Sequence, residues 1–90
     1  MAIGLYFHPG NMTADKYDAV IKDLEAAGVG SPKGRVHHSA FGPPDNIMVY
    51  DVWTSQEDFD EFGKTLMPIL EKQGVDPGQP DVMPVHNLIQ

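Results

Sequence analysis

Four histidines stand in a chain of 90 residues that contains no cysteine. Imidazole titrates closer to neutral pH than any other side chain, so the set points to acid–base or metal chemistry. His37 and His38 are neighbours in Arg35-Val36-His37-His38-Ser39-Ala40-Phe41. Strand alternation sends them to opposite faces, so they cannot both ligate one ion. No H-x-x-x-H or H-E-x-x-H spacing occurs. A metal would need His8, His86 and one of the pair to converge through the fold. The expectation is therefore no metal and no cofactor. Thiolate sites, disulfides and cysteine nucleophiles are excluded by composition. Glycine-rich phosphate loops, serine–histidine–aspartate signatures and paired-carboxylate motifs are absent.

Pairing offers a sharper possibility. Gly42-Pro43-Pro44-Asp45-Asn46 separates two strand-like runs and reads as a hairpin loop. With four loop residues, Pro43 to Asn46, and no bulge, His38 stands directly across from Asp51. Val36, His38 and Ala40 then share a face with Val49, Asp51 and Trp53. His37 and Ser39 share the other with Met48, Tyr50 and Val52. A bulge near the loop would reverse the grouping. A carboxylate beside an imidazole orients it and raises its basicity, which makes His38 a candidate general base and Asp51 its orienter. The plainer alternative is a structural hydrogen bond between two half-buried polar groups. Trp53, His86, Tyr6 and Tyr50 are the candidate substrate-binding residues. The acidic run Glu57-Asp58-Asp60-Glu61 suits the first turns of a helix, where the dipole favours it, and needs no chemical role.

These residues depend on six elements. Ile3, Leu5 and Phe7 alternate with Gly4, Tyr6 and His8, a first strand ended by Pro9-Gly10-Asn11. Thr13 is the N-cap of a helix over 14–27. Its apolar face is Tyr17, Val20, Ile21, Leu24 and Ala27, and Gly28 follows its end. Arg35 to Phe41 and Ile47 to Trp53 are the second and third strands. Ser55 caps a second helix with Phe59, Phe62, Leu66, Ile69 and Leu70 as its stripe; Pro68 should kink it or start a new turn. Residues 73–81 are loop. Val82 to Ile89 is the last strand, and Pro84 places it at a sheet edge or a bulge. The order β-α-β-β-α-β is the ferredoxin-like α+β arrangement, a four-stranded antiparallel sheet with both helices on one face. Residues 1–90 form one domain.

Composition narrows the partners. Hydrophobic residues make up 41% and the net charge is −7, an ordinary globular balance that repels nucleic acid and anionic membranes. No apolar run approaches the roughly 18 residues a bilayer requires, and the N-terminus lacks the basic region of a signal peptide. The expected location is the cytoplasm. Helices can cover only one side of the sheet, yet apolar groups occupy both faces: Ile47, Val49 and Trp53 against Met48, Tyr50 and Val52 on the third strand, Ile3, Leu5 and Phe7 against Tyr6 on the first, and Val82 and Leu88 against Met83, Val85 and Ile89 on the fourth. A second copy packed sheet on sheet is the direct remedy, so a homodimer is expected.

Val49-Tyr50-Asp51-Val52-Trp53-Thr54-Ser55-Gln56-Glu57-Asp58-Phe59 is an apolar strand ending in W-x-S-x-E-x-F. With β-α-β-β-α-β over about 90 residues, it resembles the dimeric α+β barrel superfamily, in its antibiotic-biosynthesis-monooxygenase-like branch. Pro84-Val85-His86-Asn87-Leu88-Ile89 is similar to the last strand of an uncharacterised bacterial subgroup. The resemblance implies two sheets closing into a barrel and a small, aromatic organic ligand between sheet and helices. Cofactor-independent oxygenation or proton transfer would follow, with Trp53 as a wall. It also exposes departures. The heme-degrading members use an asparagine on the first strand and a histidine on the second helix, and neither is present. The quinol-type oxygenases place an asparagine where this chain has Val49. The alternative function is a non-catalytic ligand-binding or dimerisation module.

Overall fold

The computed structural model describes residues 2–90. Strand β1 is Ile3–Phe7, helix α1 Ala14–Ala26, β2 Arg35–Phe41, β3 Met48–Trp53, helix α2 Gln56–Lys72 and β4 Asp81–Pro84. The sheet runs β2-β3-β1-β4 and every pairing is antiparallel. This is the ferredoxin-like β-α-β-β-α-β arrangement.

Local chemistry sets the helix ends. The Thr13 hydroxyl accepts from the Lys16 amide at 3.2 Å, and the Ser55 hydroxyl accepts from Asp58 at 3.1 Å. Each satisfies an amide that the first turn leaves without a helical partner. Both helices stop in the same way. Gly28 (φ 81°) and Gly74 (φ 73°) take the left-handed conformation, and the following residues, Val29 and Val75, donate back to Leu24 and Leu70 at 2.9 Å. That is the Schellman geometry, which favours glycine because a Cβ is strained there. α2 runs as one helix through Pro68, which supplies no amide to its i−4 carbonyl.

Alternation then builds the core. Ile3, Leu5 and Phe7 lie in register with Trp53, Asp51 and Val49, beneath the helices. Val20 and Leu24 of α1 and Phe62 and Leu70 of α2 close over them, with Met12 and Val75 at the margin. Trp53 is 0% exposed, and its ring sits 5.2 Å from that of Phe62 and 5.5 Å from that of Phe59. Ala27, expected on the apolar face, is the exposed C-cap, and the face ends at Leu24.

Two expectations are corrected. The last strand stops at Pro84 rather than Ile89. β4 is an edge strand whose inner neighbour β1 begins at Ile3, and beyond Pro84 the pairing adds one backbone bond, from the Val85 amide to the Ala2 carbonyl at 3.0 Å, before the chain bends at His86. The following segment crosses to the opposite edge, where the Gln90 side chain donates to the Val36 carbonyl at 3.1 Å. Second, β2 carries a bulge between Arg35 and His37. Arg35 pairs with Trp53 while His37 pairs with Val52, so Arg35, not Val36, shares a face with His38 and Asp51.

Candidate functional site

The hairpin between β2 and β3 sets the site. Its turn closes with the Asn46 amide on the Pro43 carbonyl at 2.9 Å, and Gly42 (φ 117°) enters it. A Cβ on Gly42 would come within 2.6 Å of the Asn46 carbonyl oxygen, so the turn needs glycine. The resulting register pairs Phe41 with Met48 and His38 with Asp51. The same loop anchors the start of α1: Ala14 donates to Pro44 and Ile47 to Met12, both at 2.7 Å. α1 is thereby held over β2 and β3.

A continuous hydrogen-bonded line results. The Trp53 indole donates to Asp51 Oδ2 at 3.2 Å, and Asp51 Oδ1 lies 2.6 Å from His38 Nδ1. His38 Nε2 lies 2.6 Å from the Tyr17 hydroxyl, with the two rings nearly parallel at 7°. Asp51 is 4% exposed and His38 half-buried. An ionised Asp51 can only accept, so Nδ1 carries the proton and Nε2 is left as the acceptor for the Tyr17 O–H. Burial, and next the nearby negative charge of Asp51, push the Tyr17 phenol above its ordinary value, while the Arg35 charge pulls it down.

This line forms the polar end of a cavity of about 60 Å³. Phe7, Val20, Leu24, Val49, Phe62 and Leu70 supply much of the apolar remainder, and Arg35 joins Tyr17, His38 and Asp51 at the polar end. Trp53 does not line the space. It stands behind Asp51 and fixes the carboxylate, so it backs the wall rather than being its surface.

The other expected site residues lie elsewhere. Tyr6 and Tyr50 are register partners on the opposite face of the sheet. There the Tyr6 hydroxyl donates to Met48 Sδ at 3.1 Å, and Tyr50 lies across Gly4, where a Cβ would meet its hydroxyl at 2.8 Å. His86 is exposed in the segment after β4. Among the described residues no group of three or more histidine and carboxylate side chains is arranged to hold a metal ion. Among the described residues no helix is long and apolar enough to cross a membrane.

Sequence reasoning placed Tyr17 in the packing stripe of α1 and missed its contact with His38. Its spacing is that of a core residue; only its hydroxyl marked it as able to take a polar partner. Arg35 was missed because the bulge reverses its side.

No protein-family model and no curated protein matches the chain. Solved structures do. A candidate antibiotic biosynthesis monooxygenase from Chloroflexus aurantiacus superposes with a TM-score of 0.71 at 16% identity, covering 100% of this chain and 98% of that one. SnoaB, a cofactor-independent oxygenase from Streptomyces nogalater, gives 0.61 at 13% identity over 98% and 93%. A candidate antibiotic biosynthesis monooxygenase from Caulobacter crescentus gives 0.62 at 14% over 98% and 91%. At such identities the likeness is one of fold: the chain has the ferredoxin-like fold of the antibiotic-biosynthesis-monooxygenase structures from end to end.

Proposed function

We propose that this protein is a homodimer that binds a small aromatic molecule between sheet and helices and acts on it without a cofactor. His38 serves as general base and Asp51 as its orienter. The observation that carries the reading is the Asp51–His38–Tyr17 line at the polar end of an apolar cavity. A base must reach the proton it removes and must be stabilised once charged. His38 Nε2 faces a hydroxyl at 2.6 Å, and the carboxylate behind Nδ1 would stabilise the imidazolium.

Size decides how a ring would enter. A dry cavity that binds benzene is about 150 Å³, and this one is about 60 Å³. An aromatic ligand therefore needs the Tyr17 ring to turn aside. Its own hydroxyl would then replace Tyr17 at Nε2, and His38 would take the proton. The resulting electron-rich anion could hand an electron directly to dioxygen, which makes proton transfer the first step of cofactor-independent oxygenation. The resemblance in fold to SnoaB supports that extension.

The homodimer is supported by the apolar groups left exposed on the face of the sheet that carries no helix, where Phe41 is 49% and Met83 60% exposed beside Tyr6 and Tyr50. A second sheet laid on it would bury about 1,200 Å² or more in total, a standard interface, and close the pair into an α+β barrel. Tyr6 and Tyr50 would then belong to the subunit seam.

Oxygen uptake with a panel of dihydroxylated aromatics tests the chemistry. Once a substrate is found, His38→Ala should lower the rate by about 10²–10⁴-fold; an unchanged rate overturns the catalytic role. A second reading, ligand binding without turnover, is favoured by one observation. Among the described residues every buried side-chain polar atom already has a partner, so the Asp51–His38–Tyr17 line is complete without a substrate.

A further inference from the structure

We propose that Arg35 is an anion-recognition residue at the rim of the cavity, so that the molecule bound there joins a carboxylate to an apolar body. The inference rests on the cavity being the ligand site and adds the charge of its ligand.

The bulge in β2 is the first observation. Strict alternation back from His38 would put Val36 on the helix-covered face and Arg35 on the open one. The extra residue exchanges them: Arg35 lines the cavity half-buried, and Val36 is 42% exposed. Burial energetics alone would favour the opposite choice, a valine inside and an arginine in water. Bulges are a known means of re-aiming one side chain.

The second observation is what the guanidinium touches. It donates to the Gly30 carbonyl at 3.0 Å, which orients the group. The chain has 13 acidic residues against six basic, yet among the described residues no carboxylate lies within ion-pair distance of Arg35. Asp51, the carboxylate of the same cavity, is engaged on both oxygens by His38 and Trp53. A guanidinium presents five N–H donors in a planar fork, and most of this one's remain for a planar oxyanion. The net charge of −7 opposes an incoming anion at long range, but salt screens that repulsion beyond about 8 Å at physiological ionic strength.

Third, Arg35 is electrostatically close to the end of the hydrogen-bonded line, since its charge opposes the burial and the Asp51 charge that raise the Tyr17 phenol. A carboxylate held on Arg35 would leave the apolar body of the ligand directed past Tyr17 and His38 toward Val49 and Leu70, which line the same space. About 60 Å³ accommodates a short alkyl chain with Tyr17 in place. A ring requires Tyr17 to move.

The experiment is an NMR titration of the full chain with four probes: butyrate, benzoate and their uncharged amides. Saturable shifts are expected at the Arg35 guanidinium and at the Val49 and Leu70 methyls with the acids. The amides should bind about ten-fold or more weakly, since they lose a charge-assisted hydrogen bond. Arg35→Gln should abolish the preference, and Arg35→Lys should keep part of it, having charge but no fork. Amides that bind as well as acids, or an Arg35→Gln chain that still prefers acids, would overturn the assignment while leaving the cavity a ligand site. Shifts at Arg35 without any at Val49 and Leu70 would reduce it to a surface ion pair and overturn it equally. No binding of any probe would remove both the anion site and the cavity reading. An unchanged backbone amide spectrum confirms that each variant is folded.

Discussion

His37 and His38 are adjacent in sequence and live in different environments. His38 points under the helices, where each ring nitrogen has a partner at 2.6 Å, a carboxylate on one side and a phenol on the other. His37 points to the open face, where its Nε2 meets the Ser39 hydroxyl at 3.2 Å and its ring lies 6.0 Å from that of Tyr50. The two faces of the sheet differ in the same way. The covered face buries Leu5, Val49, Asp51 and Trp53 under two helices. The open face carries Tyr6, Phe41, Met48, Tyr50 and Met83 with no helix above it, and of these Phe41 and Met83 are exposed. An apolar interior makes a hydrogen bond strong and its absence costly. The same pair of groups in water would be worth little. The proposed chemistry would therefore belong to the covered face and the proposed association to the open one.

Trp53→Ala should separate the faces most sharply. It removes the largest fully buried side chain and strips Asp51 Oδ2 of its donor. A loss of about 3–5 kcal/mol is expected in urea denaturation, enough to unfold a small domain of marginal stability. A loss below about 1 kcal/mol would mean that the covered face is not the core.

The histidine pair gives the next effect. His38→Ala leaves a buried carboxylate without its partner and should cost about 1–3 kcal/mol. His37→Ala should stay within about 0.5 kcal/mol. Equal costs for the two would erase the contrast between the faces.

Tyr17→Phe should cost about 1 kcal/mol by removing one hydrogen bond, and it also sharpens the pH dependence. The folded phenol titrates above its ordinary value of 10.0, so folding favours the protonated form. Its contribution is complete below the ordinary value and is lost as pH rises through the folded one. The native chain should therefore lose stability above pH ~10, and the phenylalanine variant should show a shallower loss over that range. Spectrophotometric titration at the tyrosinate band should show one phenol ionising late in the native chain and none so late in the variant.

Phe41→Asp should have the smallest effect on the fold of one protomer, since the ring is half-exposed at the sheet edge. Circular dichroism should be unchanged, while sedimentation should fall from twice 9.9 kDa to 9.9 kDa. A native chain that already sediments at the smaller mass removes the dimer.

The sequence by itself determined what is local. Thr13, Ser55, Gly28 and Gly74 mark helix ends through the chemistry of their own turns. The face of each residue on β1 and β3 follows from alternation, which is a property of neighbouring dihedrals. His38 and Asp51 could be matched from the chain because a short hairpin fixes register across only 13 residues of separation. Three features lay beyond that reach, and only the tertiary structure decided them. Tyr17 meets His38 because the hairpin loop pins the start of α1 over β2, and the position of a helix on a sheet depends on packing summed over many residues. Arg35 reaches the cavity because one extra residue enters β2, a change of register that alternation cannot foresee. β4 ends at Pro84 because a strand continues only where a neighbour offers hydrogen bonds, and past the Ile3–Pro84 pair a single bond, Val85 to the Ala2 carbonyl, is made before the chain bends away.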